Sequence, residues 1–464
     1  MLFNSLQYAV FLPATWLVYW GAPARWRVHL LLLASYVFYA TWSPPYALMM
    51  FGLAVANFAF GRLLARSHRR TTLAACIAAD LAVLGMFKYW DFGFRSASSL
   101  ASAAGLAWDP PLLQLVLPLG ISFFTFEFIH YLVDVYRGAL PVHSFTRFHV
   151  FAAFFPTQVA GPIKRFQDFV PELTHLERFD WMEQRSGIAL IVLGLSKKVL
   201  LADSLAPLAN AGFDAGATGG LGTLEAWTAA LAFSLQVYFD FSGYTDIALG
   251  SARLLGFHIP KNFDAPYLAT SVTDFWRRWH ISLSSWLRDY VYISLGGSRV
   301  PLLVVLRNVV LTMAIGGLWH GAAWHFVAWG VFWGALQAAE RVRRTRLREV
   351  RGPLAGPTSW VVTQLLVLVS WVLFRSESIP AAGNMLRSML VPTAPSGVLS
   401  GNVTIDVAIL AAGLTAVSVF TRRVSVRVPR VLQPIALGIA VAVALAFTLT
   451  TGATPDRKFI YFQF

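Results

Sequence analysis

Apolar side chains run through this chain in blocks long enough to cross a bilayer, which takes roughly 20 residues of helix. The blocks are 3–20, 26–43, 45–61, 71–92, 111–134, 187–209, 224–250, 303–339, 358–375, 403–421 and 431–451. They predict an all-α polytopic membrane protein with about ten spanning helices. No stretch between them is long enough to bury its own core, so 1–464 reads as a single integral-membrane domain. Block 3–20 follows no basic segment and ends in no A-x-A cleavage site. It reads as a retained helix rather than a signal peptide.

Composition agrees with that reading. The chain is 57% hydrophobic and 13% charged, with mean hydropathy +0.59; a soluble chain carries about 25% charged residues. The net charge of +14 does not mark a nucleic-acid binder, because the arginines cluster in short loops beside the blocks. The clusters are "ARWR" (24–27), "RLLARSHRR" (62–70), "ERVRRTRLREVR" (340–351) and "RRVSVRVPR" (422–430). Basic short loops mark the cytoplasmic side. With all four inside, both termini and loops 93–110 and 376–402 fall outside, and the rule leaves 137–300 undecided. Cys76 is the single cysteine, so there is no disulfide framework and no thiolate metal site. No internal repeat is evident, which weakens a transporter built from inverted halves.

Ionisable residues inside apolar blocks are costly and point to function or to paired networks. In "FEFIHYLVDVYR" (126–137), Glu127, His130 and Asp134 share one helix face. They read first as a polar stripe satisfied by neighbours. In "FFPTQVAGPIKRF" (154–166), Pro156, Gly161 and Pro162 forbid a regular helix. That segment is either re-entrant, with Gln158, Lys164 and Arg165 facing a cavity, or a cytosolic loop. In "QVYFDFSGYTDIALG" (236–250), Asp240 and Asp246 enter a span, and Gly243 is expected to loosen the helix. Arg253, Arg277 and Arg278 are candidate partners for the two carboxylates, as a structural ion-pair network or as part of a site. The stretch 273–299 mixes Trp276, Trp279, Trp286, Tyr290 and Tyr292 with Arg277, Arg278, Arg288 and Asp289. It reads as an amphipathic helix at the headgroup boundary, with Asp274 as its cap and His280 within it.

The sharpest anomaly is "GGLWHGAAWHF" (316–326), which holds His320 and His325 in a run, Val309–Ala339, free of charged side chains. On one helix the two imidazoles would diverge by about 140°, so they do not suit a shared metal. No HExxH is present. Gly316, Gly317 and Gly321 permit a break or a close helix approach beside Trp319 and His320. The run 303–339 exceeds one span, which puts His320 near mid-depth. There desolvation keeps an imidazole neutral, as a general base must be. Composition alone leaves catalysis and packing both open.

At this point a resemblance enters. "GGLWHGAAWHFVAWG", "FWRRWHISLSSWLRDYVYISLGGSR", "QVYFDFSGYTDIALGSARLLGFHIPKNFDAPY" and "PTQVAGPIKRF" resemble the membrane-bound O-acyltransferases, in particular the bacterial branch of alginate O-acetylation. The likeness is densest over 115–340 and extends to "SWVLFR" (370–375) and "FIYFQF" (459–464). Ser294 and Ser298 depart from it, where proline and often asparagine are expected.

The resemblance implies a bundle of about ten transmembrane helices with re-entrant and interfacial helices around a central funnel. It implies transfer of an acetyl group from a cytoplasmic donor across the membrane for O-acetylation of an exported, alginate-like polysaccharide. Its central histidine falls on His320 and its second on His280. The expected catalytic pair is His320 and His280, with Trp319, Asp240, Asp246, Arg277 and Gln158 shaping the funnel. No metal or tightly bound cofactor is expected; the donor, acetyl-CoA or an acyl carrier, is a substrate. The chain carries no G-x-S-x-G block, so a periplasmic or exported acetyltransferase partner is expected, at the bacterial inner membrane. D-alanyl transfer to teichoic acid, or a transporter without acyl chemistry, are the alternatives.

Overall fold

The computed structural model describes residues 1, 3–346, 354–399, 407 and 411. Block 403–421 apart from residues 407 and 411, the basic cluster 422–430, block 431–451 and the terminal "FIYFQF" therefore lie outside the described residues. In chain order the helices are α1 (Leu6–Gly21), α2 (Ala24–Ala40), α3 (Pro44–Ser67), α4 (Arg70–Leu84), α5 (Trp90–Ala103), α6 (Ile121–Tyr136), α7 (Phe145–Ala153), α8 (Phe166–Thr174), α9 (Trp181–Leu195), α10 (Asp203–Ala217), α11 (Thr223–Leu254), α12 (Val272–Arg278), α13 (Ile281–Trp286), α14 (Leu302–His320), α15 (Trp324–Arg346), α16 (Ala355–Arg375) and α17 (Ile379–Leu390). No strand occurs among the described residues. Among them, Pro44–Ser67, the continuous helix Arg70–Ala103, Leu302–His320 and Ala355–Arg375 are long and apolar enough to cross a membrane.

The chain divides into two compact units, one of residues 1–191 and 245–260, the other of 192–244 and the chain from 261 onward.

In the first unit, block 111–134 becomes helical only at Ile121, because Pro110, Pro111 and Pro118 cannot sustain a helix. The extended stretch before it meets its backbone needs through side chains. Asp91 accepts from the amides of Leu113 and Gln114, and the Tyr39 and Tyr46 hydroxyls donate to the carbonyls of Leu119 and Val116, each at 2.7 Å. The proline-broken segment 154–165 is also non-helical, and residues 154–164 are all buried. It is no exposed loop: protein encloses it, the condition under which irregular backbone is tolerated at membrane depth. The α6 stripe anchors it. Lys164 Nζ donates to both Glu127 oxygens at 2.8 and 2.9 Å, and Gln167 donates to Asp134 at 2.6 Å. Arg62 donates to the His143 carbonyl at 3.3 Å, so the basic end of α3 and the α6–α7 loop lie at one end of this unit.

In the second unit the run 303–339 is a helical hairpin, α14 and α15, turning at 321–323. The two backbones nearly touch. A Cβ on Gly317 would lie 2.2 Å from the Phe326 carbonyl oxygen, and one on Gly330 would lie 2.3 Å from that of Met313. Small residues permit such approach between helices in lipid, where packing takes over from the hydrophobic effect. Gly243 does not loosen α11, which stays helical through it. Its missing Cβ instead admits the Gly194 carbonyl, whose oxygen would lie 2.7 Å from a Cβ built there. The stretch 273–299 is not one amphipathic helix but α12, α13 and a π-helical turn at Leu287–Tyr292. Ser271, not Asp274, caps α12, leaving Asp274 to pair with Arg278 at 2.7 Å. The expected loop 376–402 contains α17. Glu225 straps the chain that follows it, accepting from the amides of Ser396, Gly397 and Leu399 at 2.7–3.1 Å.

Candidate active site

His320 is the last residue of α14. Gly321 takes extended backbone, φ −158° and ψ 148°, and ends the helix. A Cβ there would sit 2.1 Å from the Phe326 ring, so a glycine is what lets the hairpin turn immediately after the imidazole. His320 therefore stands at the tip of a span-length helix, not midway along an unbroken run. It is buried nonetheless, among the rings of Trp319, Trp329 and Phe374 at 4.9, 5.1 and 5.3 Å.

His280 occupies the corner between α12 and α13. Its backbone is left-handed, φ 44° and ψ 55°, a conformation that side-chain-bearing residues adopt at a cost of order 1–3 kcal/mol. Neighbours hold it there. The Asn262 carbonyl accepts from Ile281 N–H at 2.9 Å, and Asn262 Oδ1 accepts from Ser282 N–H and Oγ at 3.2 and 2.6 Å. Phe241 lies edge-on to the His280 ring at 4.7 Å. Burial pushes the imidazole down to about 3, so it is neutral at physiological pH and offers one N–H and one lone pair. The His280 and His320 ring centroids are 6.5 Å apart, and Trp319 is 6.0 Å from His280. One substrate oxygen between two rings at that separation is within hydrogen-bond reach, about 3 Å, of both.

The residues beside His280 form a wall of a cleft of about 730 Å³. Arg277, Arg288, Arg341 and Arg344 line it together with the hydroxyls of Ser284 and Ser285. Glu340 fixes its rim, accepting from Thr273 N–H at 2.9 Å and pairing with Arg344. Four guanidinium groups around one cavity suit phosphate oxygens, which arginine binds in bidentate fashion.

The sequence-predicted residues separate. His280, His320 and Trp319 converge, and Arg277 lines the adjoining cleft. Where an arginine was expected, Asp240 pairs with Lys198 Nζ at 2.5 Å, which also holds Asp203 at 2.8 Å. Arg253 binds Ser186 instead. Gln158 and Asp246 belong to the first unit, where Gln158 Nε2 reaches Met50 Sδ at 3.0 Å and Asp246 is half-buried on α11. Sequence reasoning missed Asn262, Lys198 and Asp203. A lysine in the apolar block 187–209, five residues before an aspartate, was a usable signal for the last two. Nothing local marks Asn262.

The sequence profile of the membrane-bound O-acyltransferases matches residues 140–374, a stretch that includes every candidate residue above. The chain belongs to that family. A probable alginate O-acetylase of Pseudomonas aeruginosa is 42% identical over 401 residues, 84% of this chain and 75% of the relative. A peptidoglycan O-acetyltransferase of Helicobacter pylori is 33% identical over 429 residues, 84% of this chain and 80% of the relative. A teichoic acid D-alanyltransferase of Streptococcus thermophilus is 32% identical over 235 residues, covering 47% of this chain and 55% of the relative. As a family member, this chain is a membrane-bound O-acyltransferase that uses an acyl donor as substrate.

Proposed function

We propose that this enzyme O-acetylates an exported, alginate-like polysaccharide from the bacterial inner membrane, and that the two units act as one acyltransferase domain. The observation that carries the reading is the His280–His320 pair, 6.5 Å apart, beside an arginine-lined cleft. A donor thioester, on coenzyme A or an acyl carrier, places its phosphates among the arginines and its carbonyl carbon at the histidines. His320 takes the proton of the attacking hydroxyl as its oxygen bonds that carbon. His280 donates its N–H to the developing oxyanion. The C–S bond then breaks, and His320 returns the proton to the thiolate, leaving an ester and a free thiol. General-base help of this kind contributes about 10²–10⁴ in rate, and one oxyanion donor about 2.7–4 kcal/mol. Trp319 packs the pair, Arg277 binds the donor, Asp240 shapes the second unit and Asp246 and Gln158 the first, in a chain of about ten spanning helices. Relatives that act on alginate and on peptidoglycan cover 84% of this chain, whereas the teichoic acid relative covers 47%, which favours acetyl over alanyl transfer.

The test is ester-bound acetate, released by mild alkali from surface polysaccharide of cells carrying wild type or His320→Ala at matched membrane levels. Loss in the variant is expected; equal acetate would return His320 to a packing role. The extra-cytoplasmic acetyltransferase partner is tested in the same assay. Deleting it should abolish polymer acetylation while this chain stays folded in the membrane, and undiminished acetylation would sink the two-component scheme.

A further inference from the structure

A second basic cleft, of about 540 Å³, lies in the first unit. The fold brings three helix ends to it. α2 begins at Ala24 behind Pro23, with no side chain capping its first amides; it contributes Arg25 and, one turn on, His29. α7 begins behind Ser144, which accepts the Arg147 amide; it contributes Thr146 and Arg147. The last turn of α8 adds His175 at its C-cap. Two helix N-termini, two guanidiniums, two imidazoles and hydroxyl donors thus face one space, and among the described residues no carboxylate lines it. Helix N-termini and arginines both favour a tetrahedral oxyanion. The cleft is at the end of the unit where α2 starts. The "ARWR" cluster there marks the cytoplasmic side by the distribution of arginines, which is headgroup depth for the inner leaflet. Basic pockets between helices at that level recognise phospholipid headgroups.

We propose that this cleft is a binding site for a phosphate ester, and that its occupant is the headgroup phosphate of an anionic phospholipid of the cytoplasmic leaflet. The phosphate sits between Arg25 and Arg147 and takes N–H groups from the first turns of α2 and α7, while the acyl chains lie along the apolar flank of α2. A soluble phosphate ester is the other source of the same chemistry.

The experiment is native mass spectrometry of the full-length protein, exchanged into neutral detergent and titrated separately with phosphatidylglycerol, phosphatidylcholine and glycerol 3-phosphate. The wild type should retain one phosphatidylglycerol in preference to phosphatidylcholine. Arg25→Gln/Arg147→Gln should weaken that affinity by about thirtyfold, while Arg25→Lys/Arg147→Lys retains most of it. Acyl transfer and thermal stability of the variants serve as folding controls, since neither arginine belongs to the histidine site. Glycerol 3-phosphate binding as tightly as the lipid, and losing affinity in the Gln variant, would keep the phosphate site and overturn the lipid as its occupant. Phosphatidylglycerol binding unchanged in the folded Gln variant, or indistinguishable from phosphatidylcholine in the wild type, would overturn the proposal.

Discussion

Asn262 bears on the chemistry without being one of the two histidines. It is fully buried and supplies two acceptors to the residues that follow His280, fixing a corner whose backbone is left-handed. Asn262→Leu keeps the branching of the side chain but removes the Oδ1 that accepts from the buried Ser282 N–H and hydroxyl, a penalty of about 1–3 kcal/mol per group. The imidazole then loses its fixed position, and a small misplacement costs rate more than binding. We expect kcat to fall about tenfold or more with the donor KM little changed, and Asn262→Asp, which keeps Oδ1, to recover part of it. Purified protein in detergent, assayed with a soluble acceptor, gives both constants. A folded Asn262→Leu enzyme with wild-type kcat would show that the clamp is structural alone.

At the scale of elements, the α14–α15 hairpin sets where His320 stands. Its glycines are not equivalent. A Cβ at Gly317 meets a backbone carbonyl at 2.2 Å, whereas one at Gly316 meets the end of the Leu287 side chain at 3.0 Å. Backbone cannot yield as a leucine methyl can, so Gly317→Ala should splay the hairpin and Gly316→Ala should be tolerated. Overpacking of this kind costs roughly 1–3 kcal/mol. Thermal unfolding in detergent should therefore show a clear drop for Gly317→Ala and little for Gly316→Ala; equal midpoints would refute the close-packing account. The same hairpin shows what was legible beforehand. "GGLWHGAAWHF" signalled a break through its glycines, because their conformational freedom is a local property. That the break is a full reversal was not legible, since an apolar run in lipid has the same composition whether it is one helix or two. The pairing of Asp240 with Lys198 was missed for a related reason: the two are forty-two positions apart, and pairing at that range depends on how the π-helical turn Ser196–Ala202 packs against α11. Proline-broken segments were easier, because the exclusion of helix at 154–165 follows from the residues there.

For the whole molecule the testable consequence is sidedness. Arginines stand at the start of α2, at the end of α3 and start of α4, and at the end of α15, and in short loops such residues stay on the cytoplasmic side. The structure adds continuity to that rule. Arg70–Ala103 is one helix of 34 residues, about 50 Å at 1.5 Å per residue, so a chain entering at Arg70 from the cytoplasm must emerge before Ala103. The link from α16 through α17 to residue 399 starts one span-length helix away from the α15 end and should also be outside. Cys76 is the single cysteine and is buried, so a Cys76→Ser background allows new thiols to report position. In intact cells a membrane-impermeant maleimide should label Ser102→Cys and Pro392→Cys, and should reach Arg69→Cys and Thr345→Cys only after the membrane is opened. All four sites lie at the protein surface, so burial within the protein does not block labelling. Labelling of Thr345→Cys in intact cells would invert the second unit and move the arginine cleft to the outer face. A thioester donor made in the cytoplasm could not then reach it, and the direction of acyl transfer argued above would fall with it.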